Sequence, residues 1–511
     1  MPHLGIIAGV VPGAVDAWIV TLDKYGTKSF GEVLAPAIYL AERGFPASEG
    51  FCSNIKDASS ELRKFESSRK LYFKQDGSFF KPGEIFKNPD LARTMRRLVE
   101  AEDASKGQGR SHGLLAARDE FYKAAMSRDF IEYSESHDGI FKSPDFAEYH
   151  ALIEEPAHTN YRGYEVYKPA SNNQGPSELI ALNIIEGFPV ASYEYYAAPM
   201  VHHLAEAVNL AMADRERYMG DLQFTKTPLN GLLNKKYADE RRKLIFPDRR
   251  LEEYLPGNPQ RYEEPPYRYD PLIYNFSGLL EDVPFNSRRN PSATFGLLNN
   301  EKNSRPDFCD QEYNRRMDHT SYVCAADDRG NVVSATPSLF QGFGSKEVVG
   351  KLGFPLNNRA SYFHLEPEHA NSLMPGKRPR NTITPSMALK DGKPFLTYGT
   401  PGGDQQCQAL MQVLVNIVDY KKNVQEALDA PMFQSLSFPT SFSPFSIEPG
   451  VIELDRRTQT SVAEQLRIMG WDVRIVPEFS NNNGCAILID PNTGAFAAGV
   501  ISSKENDAAA W

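Results

Sequence analysis

Residues Asp404 to Tyr420 form a helix-length run that is apolar on most of its faces. A helix with no polar side belongs in a protein interior, so the fold must enclose it. The flanking sequence says with what. Ser386 to Lys390 and Pro394 to Tyr398 are strand-like runs on either side of the Asp391-Gly392 turn, a hairpin signal. Thr320 to Ala326 and Asn331 to Ser338, joined by Asp327 to Gly330, give a second hairpin, and Cys485 to Ile489 and Ala495 to Val500 read as further strands. Paired strands beside buried helices predict a layered α/β (α+β) fold.

The remainder of the chain supplies helices and one long irregular stretch. Ser29 to Arg43 carries apolar residues at helical spacing, and Gly44 follows as a stop. Leu91 to Ala104 and Ser111 to Met126 extend this helical region. Tyr161 to Tyr167 alternates like a short strand, Ser171 to Gly175 is a turn, and helices are expected over Pro176 to Gly187, Tyr193 to Tyr218, Val424 to Pro431 and Thr458 to Met469. From about Leu222 to Asn314 the periodicity fades. This stretch is rich in Pro, Asn, Tyr and Arg, and it reads as a long surface segment. A compact protein keeps such a segment when it must be moved or cut.

Composition removes several functions. Hydrophobic residues at 41% and charged residues at 24% are an ordinary globular balance, not that of a disordered or fibrous chain. With 56 Lys+Arg against 66 Asp+Glu the net charge is -10, and without a basic block the chain is a poor nucleic-acid binder. No apolar run approaches the ~20 residues of a membrane span. Met1 to Gly13 has no basic region followed by a long apolar stretch, so no signal peptide is read there and a soluble, cytoplasmic protein is expected. Cys52, Cys309, Cys324, Cys407 and Cys485 are scattered singly, which suits neither a disulfide framework nor a zinc site. The adjacent His202 and His203 would not share a helix face. Neither a metal nor a cofactor is expected.

Three places could carry chemistry. Thr320 opens a strand directly after the irregular stretch. Thr is a favoured strand residue, but cleavage before it would make it a nucleophile whose own α-amine is the general base. Gly399-Thr400-Pro401-Gly402-Gly403 lies between a strand and the buried helix. Its glycines allow an ordinary tight turn, or N–H groups converging on an oxyanion at a helix N-terminus. Lys377-Arg378-Pro379-Arg380-Asn381-Thr382 sets basic residues before amide and hydroxyl groups, as a carboxylate-binding loop or a solvated basic loop.

Collinear segments then carry a resemblance. Val11-Pro12-Gly13-Ala14-Val15, Pro36-Ala37-Ile38 with Leu40 to Phe45, Leu182 to Gly187, and Ala213 to Tyr218 match, in order, segments of the gamma-glutamyltransferase (gamma-glutamyltranspeptidase) family. So do the Thr320 hairpin, Gly342-Phe343-Gly344, Leu356-Asn357-Asn358, Gly376 to Pro379, Thr400 to Gly403 and Asp429-Ala430-Pro431. The resemblance implies an N-terminal-nucleophile hydrolase with an αββα four-layer sandwich, made as one chain that cuts itself between His319 and Thr320. It implies Thr320 as the nucleophile, Ser338 as its hydroxyl partner, and Gly402 with Gly403 as the oxyanion hole. It also implies a large portion, 1–319, and a small portion, 320–511, intertwined as one domain, a heterodimer of cleaved chains that acts on a small amide or peptide.

Departures from the family pattern shape the expected substrate. The resemblance puts Tyr362 where an Asp grips the glutamyl α-amino group, Arg359 where a Gln is usual, and Asn381-Thr382 where paired serines hold the α-carboxylate. A phenol is a weaker anchor for an ammonium than a carboxylate. An acid-bearing acyl group without an α-ammonium is therefore expected, as in the cephalosporin acylase-like and oxamate amidohydrolase-like branches. The chain also starts almost at the Val-Pro-Gly segment, where the family has a preceding stretch with a carboxylate-binding Arg. Three readings follow: an acylase or amidohydrolase, a true gamma-glutamyl enzyme, or a non-catalytic relative serving as an interaction or structural protein.

Overall fold

The computed structural model describes residues 1–280, 320–502 and 505–510, so His319 and the C-terminal part of the irregular stretch lie outside the described residues. The chain divides into two compact units. The first comprises Met1–Glu154, the described part of Asp270–Met317, and Leu339–Ser361; the second comprises Glu155–Tyr269 and the described parts of Asp318–Ser338 and Tyr362–Trp511.

The first unit is helical. Helices Ala14–Tyr25, Phe30–Arg43, Pro89–Ser105, Arg110–Tyr122 and Ala125–Ser136 pack around Ile19, Leu98, Leu114, Phe121 and Phe130. Phe30–Arg43 begins where the sequence placed it. Ser29 accepts from the Glu32 N–H while the Glu32 carboxylate accepts from the Ser29 N–H, a reciprocal cap that satisfies two orphan donors. The expected helix Ser111 to Met126 is instead two, broken at Lys123 and Ala124, whose backbones leave helical geometry without a Gly or Pro to announce it.

The second unit is built on strands β1 (Ala157–Tyr161), β2 (Tyr164–Lys168), β3 (Val323–Ala326), β4 (Val332–Ala335), β5 (Ser386–Lys390), β6 (Lys393–Gly399), β7 (Phe433–Ser435), β8 (Val451–Asp455), β9 (Asp472–Val476), β10 (Cys485–Ile489) and β11 (Phe496–Val500). Its main helices are α1 (Gly175–Ile185), α2 (Ala198–Tyr218), α3 (Gln405–Val418), α4 (Val424–Asp429) and α5 (Thr460–Ile468). Six strands form an antiparallel sheet in the order β11-β10-β6-β5-β2-β1.

Cross-strand register assigns that sheet's two faces. Val166, Ala388, Leu396, Tyr398 and Ala486 lie on one face and are buried in the core, where the sheet packs against α1 and α3. Tyr167, Met387, Thr397, Ile487, Gly399 and Cys485 occupy the other face. The β3–β4 hairpin packs there: Thr397 Oγ1 donates to the Val333 carbonyl at 3.3 Å. Strand β7 of a second sheet, β7-β8-β9, packs against α2 and α3, and β8 and β9 run parallel. Every residue of α1 and of α3 is buried, as the apolar faces of Asp404 to Tyr420 required.

Three local readings are corrected. Tyr161 to Tyr167 is not one strand but the end of β1, a turn at Arg162-Gly163, and β2. Both turn residues have positive φ, 51° and 86°; Gly accepts this freely, but the Arg hides the turn signal. The stretch after Leu222 is not all surface: Leu229, Leu232 and Tyr237 are buried in the main core, and Lys235–Arg242 is a helix. Strands β7, β8 and β9 were not foreseen. Among the described residues, no helix is long and apolar enough to cross a membrane.

Candidate active site

Thr320 lies just ahead of β3. It is buried at 6% exposure, and its Oγ1 is 2.9 Å from Ser338 Oγ, beyond the end of β4. The antiparallel pairing of β3 and β4, from Val323 opposite Ala335, brings these two chain ends together. The Ser321 N–H donates to the Pro337 carbonyl at 3.0 Å and extends the pairing outward. Thr320 and Ser338 thus meet because the hairpin is in register.

Tyr322 ties this hairpin end to the six-stranded sheet. Its hydroxyl lies 2.8 Å from Ser334 Oγ and 3.2 Å from Thr397 Oγ1. Its ring covers Gly399, where a Cβ would fall 2.2 Å from ring carbon Cε2. The contact is two residues from Thr320 and three from Gly402. Glycine at 399 is therefore a close-approach requirement of the sheet packing.

Gly402 and Gly403 form the turn into α3, with φ of 128° and 53°. The Gly402 and Gly403 carbonyls accept from the Gln405 and Gln406 N–H groups, which starts the helix. Neither glycine's own N–H donates to a partner among the described residues. Two N–H donors at the N-terminus of a 14-residue buried helix suit an oxyanion.

The sequence reading missed what holds this turn. Gln174, fully buried ahead of α1, donates from Nε2 to the Gly403 carbonyl at 2.7 Å and to the Thr382 carbonyl at 2.8 Å. Backbone bonds join the same segments: the Gln174 N–H donates to the Asn381 carbonyl and the Asn381 N–H to the Asn172 carbonyl, each at 3.0 Å. One side chain therefore sets the glycine turn and the Asn381-Thr382 segment against each other. Gln174 Oε1 in turn accepts from Arg215 Nη1 at 3.3 Å. Burial alone would lower the Arg215 pKa; Asp404 and Glu216 beside it keep the guanidinium charged. Its other partners are Ser441 Oγ and the Pro439 carbonyl. Nothing in the local spacing of Gln174 or Arg215 signals these roles.

Tyr362 is fully buried, and its hydroxyl is 2.9 Å from Thr382 Oγ1. Asn381 is partly exposed beside it. Arg359 belongs to the first unit, where its N–H donates to Asn357 Oδ1 at 3.2 Å. The basic run before Asn381 is not a solvated loop. Arg380 is fully buried, donating to Glu216 Oε2 at 2.8 Å and to the Arg215 carbonyl at 3.1 Å.

Glu216, His364 and His369 bring three metal-ligand atoms within 4.8 Å of one another. Protonation decides what they do. The His369 Nδ1 accepts from the Asn371 N–H at 3.0 Å, and burial lowers the His369 pKa despite Glu216. A neutral His369 then carries its hydrogen on Nε2, 3.1 Å from Glu216 Oε1, and donates it. Burial would raise the Glu216 pKa, but Arg380, the imidazoles and Arg215 hold it well below the usual range. This is a charge-compensated brace on the loop leading to Asn381: Arg380 donates to Glu216 Oε2 while the two imidazoles approach Glu216 Oε1. His202 and His203 are engaged elsewhere: His202 Nδ1 accepts from Trp471 Nε1 at 3.0 Å, and His203 Nδ1 faces the Pro199 carbonyl.

Known proteins share this architecture. The gamma-glutamyltranspeptidase family model matches residues 1–511. A glutathione hydrolase proenzyme from Bacillus subtilis is 29% identical over 98% of this chain and 74% of its own. An acylase ACY 1 proenzyme from a Pseudomonas species is 29% identical over 96% and 74%. The crystal structure of cephalosporin acylase from Bacillus halodurans superposes with a TM-score of 0.79 at 28% identity, covering 100% of this chain and 80% of that one. The chain is an enzyme of the gamma-glutamyltranspeptidase family, with the αββα fold of the N-terminal-nucleophile hydrolases.

Proposed function

We propose that this protein is a self-processing amide hydrolase or acyltransferase that cleaves the bond between His319 and Thr320 and then uses Thr320 as its nucleophile. The Thr320 hydroxyl attacks an amide carbonyl, and the freed α-amine takes its proton. The Gly402 and Gly403 N–H groups stabilise the oxyanion. The proton passes to the leaving amine, and the acyl-Thr ester goes to water or to an acceptor amine. The observation that supports this reading most is the buried Thr320 Oγ1 lying 2.9 Å from Ser338 Oγ, which orients the attacking oxygen.

The acyl group we favour carries a carboxylate and no α-ammonium. Tyr362, whose hydroxyl is engaged by Thr382, leaves no anion at the position that grips an ammonium in the family pattern. Asn381 and Thr382 offer hydrogen bonds to a carboxylate. This reading follows the acylase names among the relatives more than the glutathione hydrolase names.

A panel of amides tests it, with a γ-glutamyl anilide beside anilides of simple dicarboxylic acids. Faster turnover of the dicarboxylic anilides, abolished by Thr320→Ala and with KM raised by Asn381→Ala, is expected. A clear preference for the γ-glutamyl anilide would overturn the substrate assignment. Turnover retained in Thr320→Ala would overturn the mechanism. Correct cleavage with no turnover of any amide would favour the non-catalytic reading.

A further inference from the structure

Cys324 and Cys485 lie on facing surfaces of the two sheet layers. On the hairpin, Cys324 is the cross-strand partner of Ser334, whose Oγ accepts from the Ser386 N–H at 2.9 Å. That face of the hairpin therefore turns toward the six-stranded sheet. On the sheet, Cys485 is the cross-strand partner of Gly399, the glycine covered by the Tyr322 ring. Tyr322 and Cys324, two residues apart on one strand face, thus meet Cys485 as a single group. The two thiols are half-buried on strands that pack against each other, and each perturbs the other's titration.

The contact makes the thiols unequal. The neighbouring Cys485 lowers the Cys324 pKa against the effect of burial, while Cys324, together with burial, raises that of Cys485. Cys324 is therefore the better attacking sulfur and Cys485 the resolving one. The other described cysteines do not share this setting. Cys407 is fully buried, its Sγ 3.2 Å from the Gln174 carbonyl, and Cys52 belongs to the first unit.

We infer that Cys324 and Cys485 are a redox pair that closes into a disulfide, cross-linking the hairpin that carries Thr320 to strand β10. The oxidant is a low-molecular-weight disulfide. The Cys324 thiolate attacks one of its sulfurs, the S–S bond breaks, and one small thiol leaves. Cys485, its proton lost to solvent, attacks the Cys324 sulfur of the mixed disulfide and expels the second small thiol. Two protein thiols are oxidised and one small disulfide is reduced. The cross-link pins the strand end that positions Thr320. Both cysteines follow Thr320 in the chain, so the pair forms whether or not self-cleavage occurs.

The test is peptide mass spectrometry without reduction. The full-length protein and its Thr320→Ala form are incubated with oxidised glutathione, alkylated and digested. The expected result is a linked peptide pair joining Cys324 to Cys485 in both forms, lost on adding dithiothreitol. Cys485→Ser should accumulate a glutathionyl adduct on Cys324, because the resolving thiol is gone. Either residue alkylated singly, carrying its own separate adduct in the unsubstituted protein, or linked to Cys52, Cys309 or Cys407 would overturn the inference. The unsubstituted protein decides between these outcomes even if a serine variant fails to fold.

Discussion

Replacing Gln174 with Leu removes two donors and one acceptor from a fully buried position. Gly403 keeps the Gln406 N–H on its carbonyl, and Arg215 keeps Asp404, Ser441 and the Pro439 carbonyl. The Thr382 carbonyl has no second partner among the described residues. One buried carbonyl left unpaired costs about 1–3 kcal/mol, and each of the two weakened bonds roughly 0.5–1.5, so Gln174→Leu should cost about 2–6 kcal/mol. Urea unfolding reads this as a lower midpoint at an unchanged slope. Because the same side chain sets the Gly402-Gly403 turn, kcat should fall along with stability. Gln174→Glu separates the causes: a carboxylate suits Arg215 but repels two carbonyl oxygens at 2.7 and 2.8 Å. It should be no better than Leu. A loss below about 0.5 kcal/mol in Gln174→Leu, or full rescue by Glu, would refute the claim that donation to Thr382 and Gly403 organises the site.

Other perturbations have defined outcomes. Gly399→Ala puts a methyl 2.2 Å from the Tyr322 ring, so it should cost about 1–3 kcal/mol and slow self-cleavage; a processing time course on gels checks this. Ser338→Ala should lower kcat roughly tenfold with KM little changed, and Ser338→Thr should restore it, as progress curves will show. Glu206 is pushed up to about 7, chiefly by burial, with Tyr254 and the Leu251 N–H opposing. Its folded pKa exceeds the unfolded ~4.3, so the folded state holds the extra proton and the stability it contributes is lost as pH rises from about 4 to about 7. Glu206→Gln should flatten the stability profile across that window, a difference of about 3 kcal/mol between its ends, measured by urea titrations at several pH values.

The parts legible in the sequence were those with short-range signatures. The β5–β6 hairpin around Asp391-Gly392, the β3–β4 hairpin, the helix that stops at Gly44 and α3 all appear where pattern and turn chemistry put them. What was not legible depends on partners far along the chain. Strand β8 is specified by β9 beside it, and β7 has three residues, too few to show alternation. The residues after Leu222 are rich in Pro and Arg, yet Leu229, Leu232 and Tyr237 are drawn into the core by α1 and α2. Gln174 and Arg380 looked like turn and loop residues, because a buried polar side chain acquires its function only when distant carbonyls and carboxylates converge on it. Thr320, Ser338, Gly402 and Gly403 were nameable because the family resemblance fixed their positions; Thr320 and Ser338 lie at the two ends of the β3–β4 hairpin, and Gly402 and Gly403 lead into α3.

Self-cleavage that exposes Thr320 is the step on which the proposed chemistry rests. Intact mass spectrometry of the purified protein tests this most directly. Two pieces are expected, one ending at His319 and one beginning with Thr320 as a free N-terminus, and a single uncut chain for Thr320→Ala. An unsubstituted protein that stays whole after prolonged incubation yet turns over amides would contradict it.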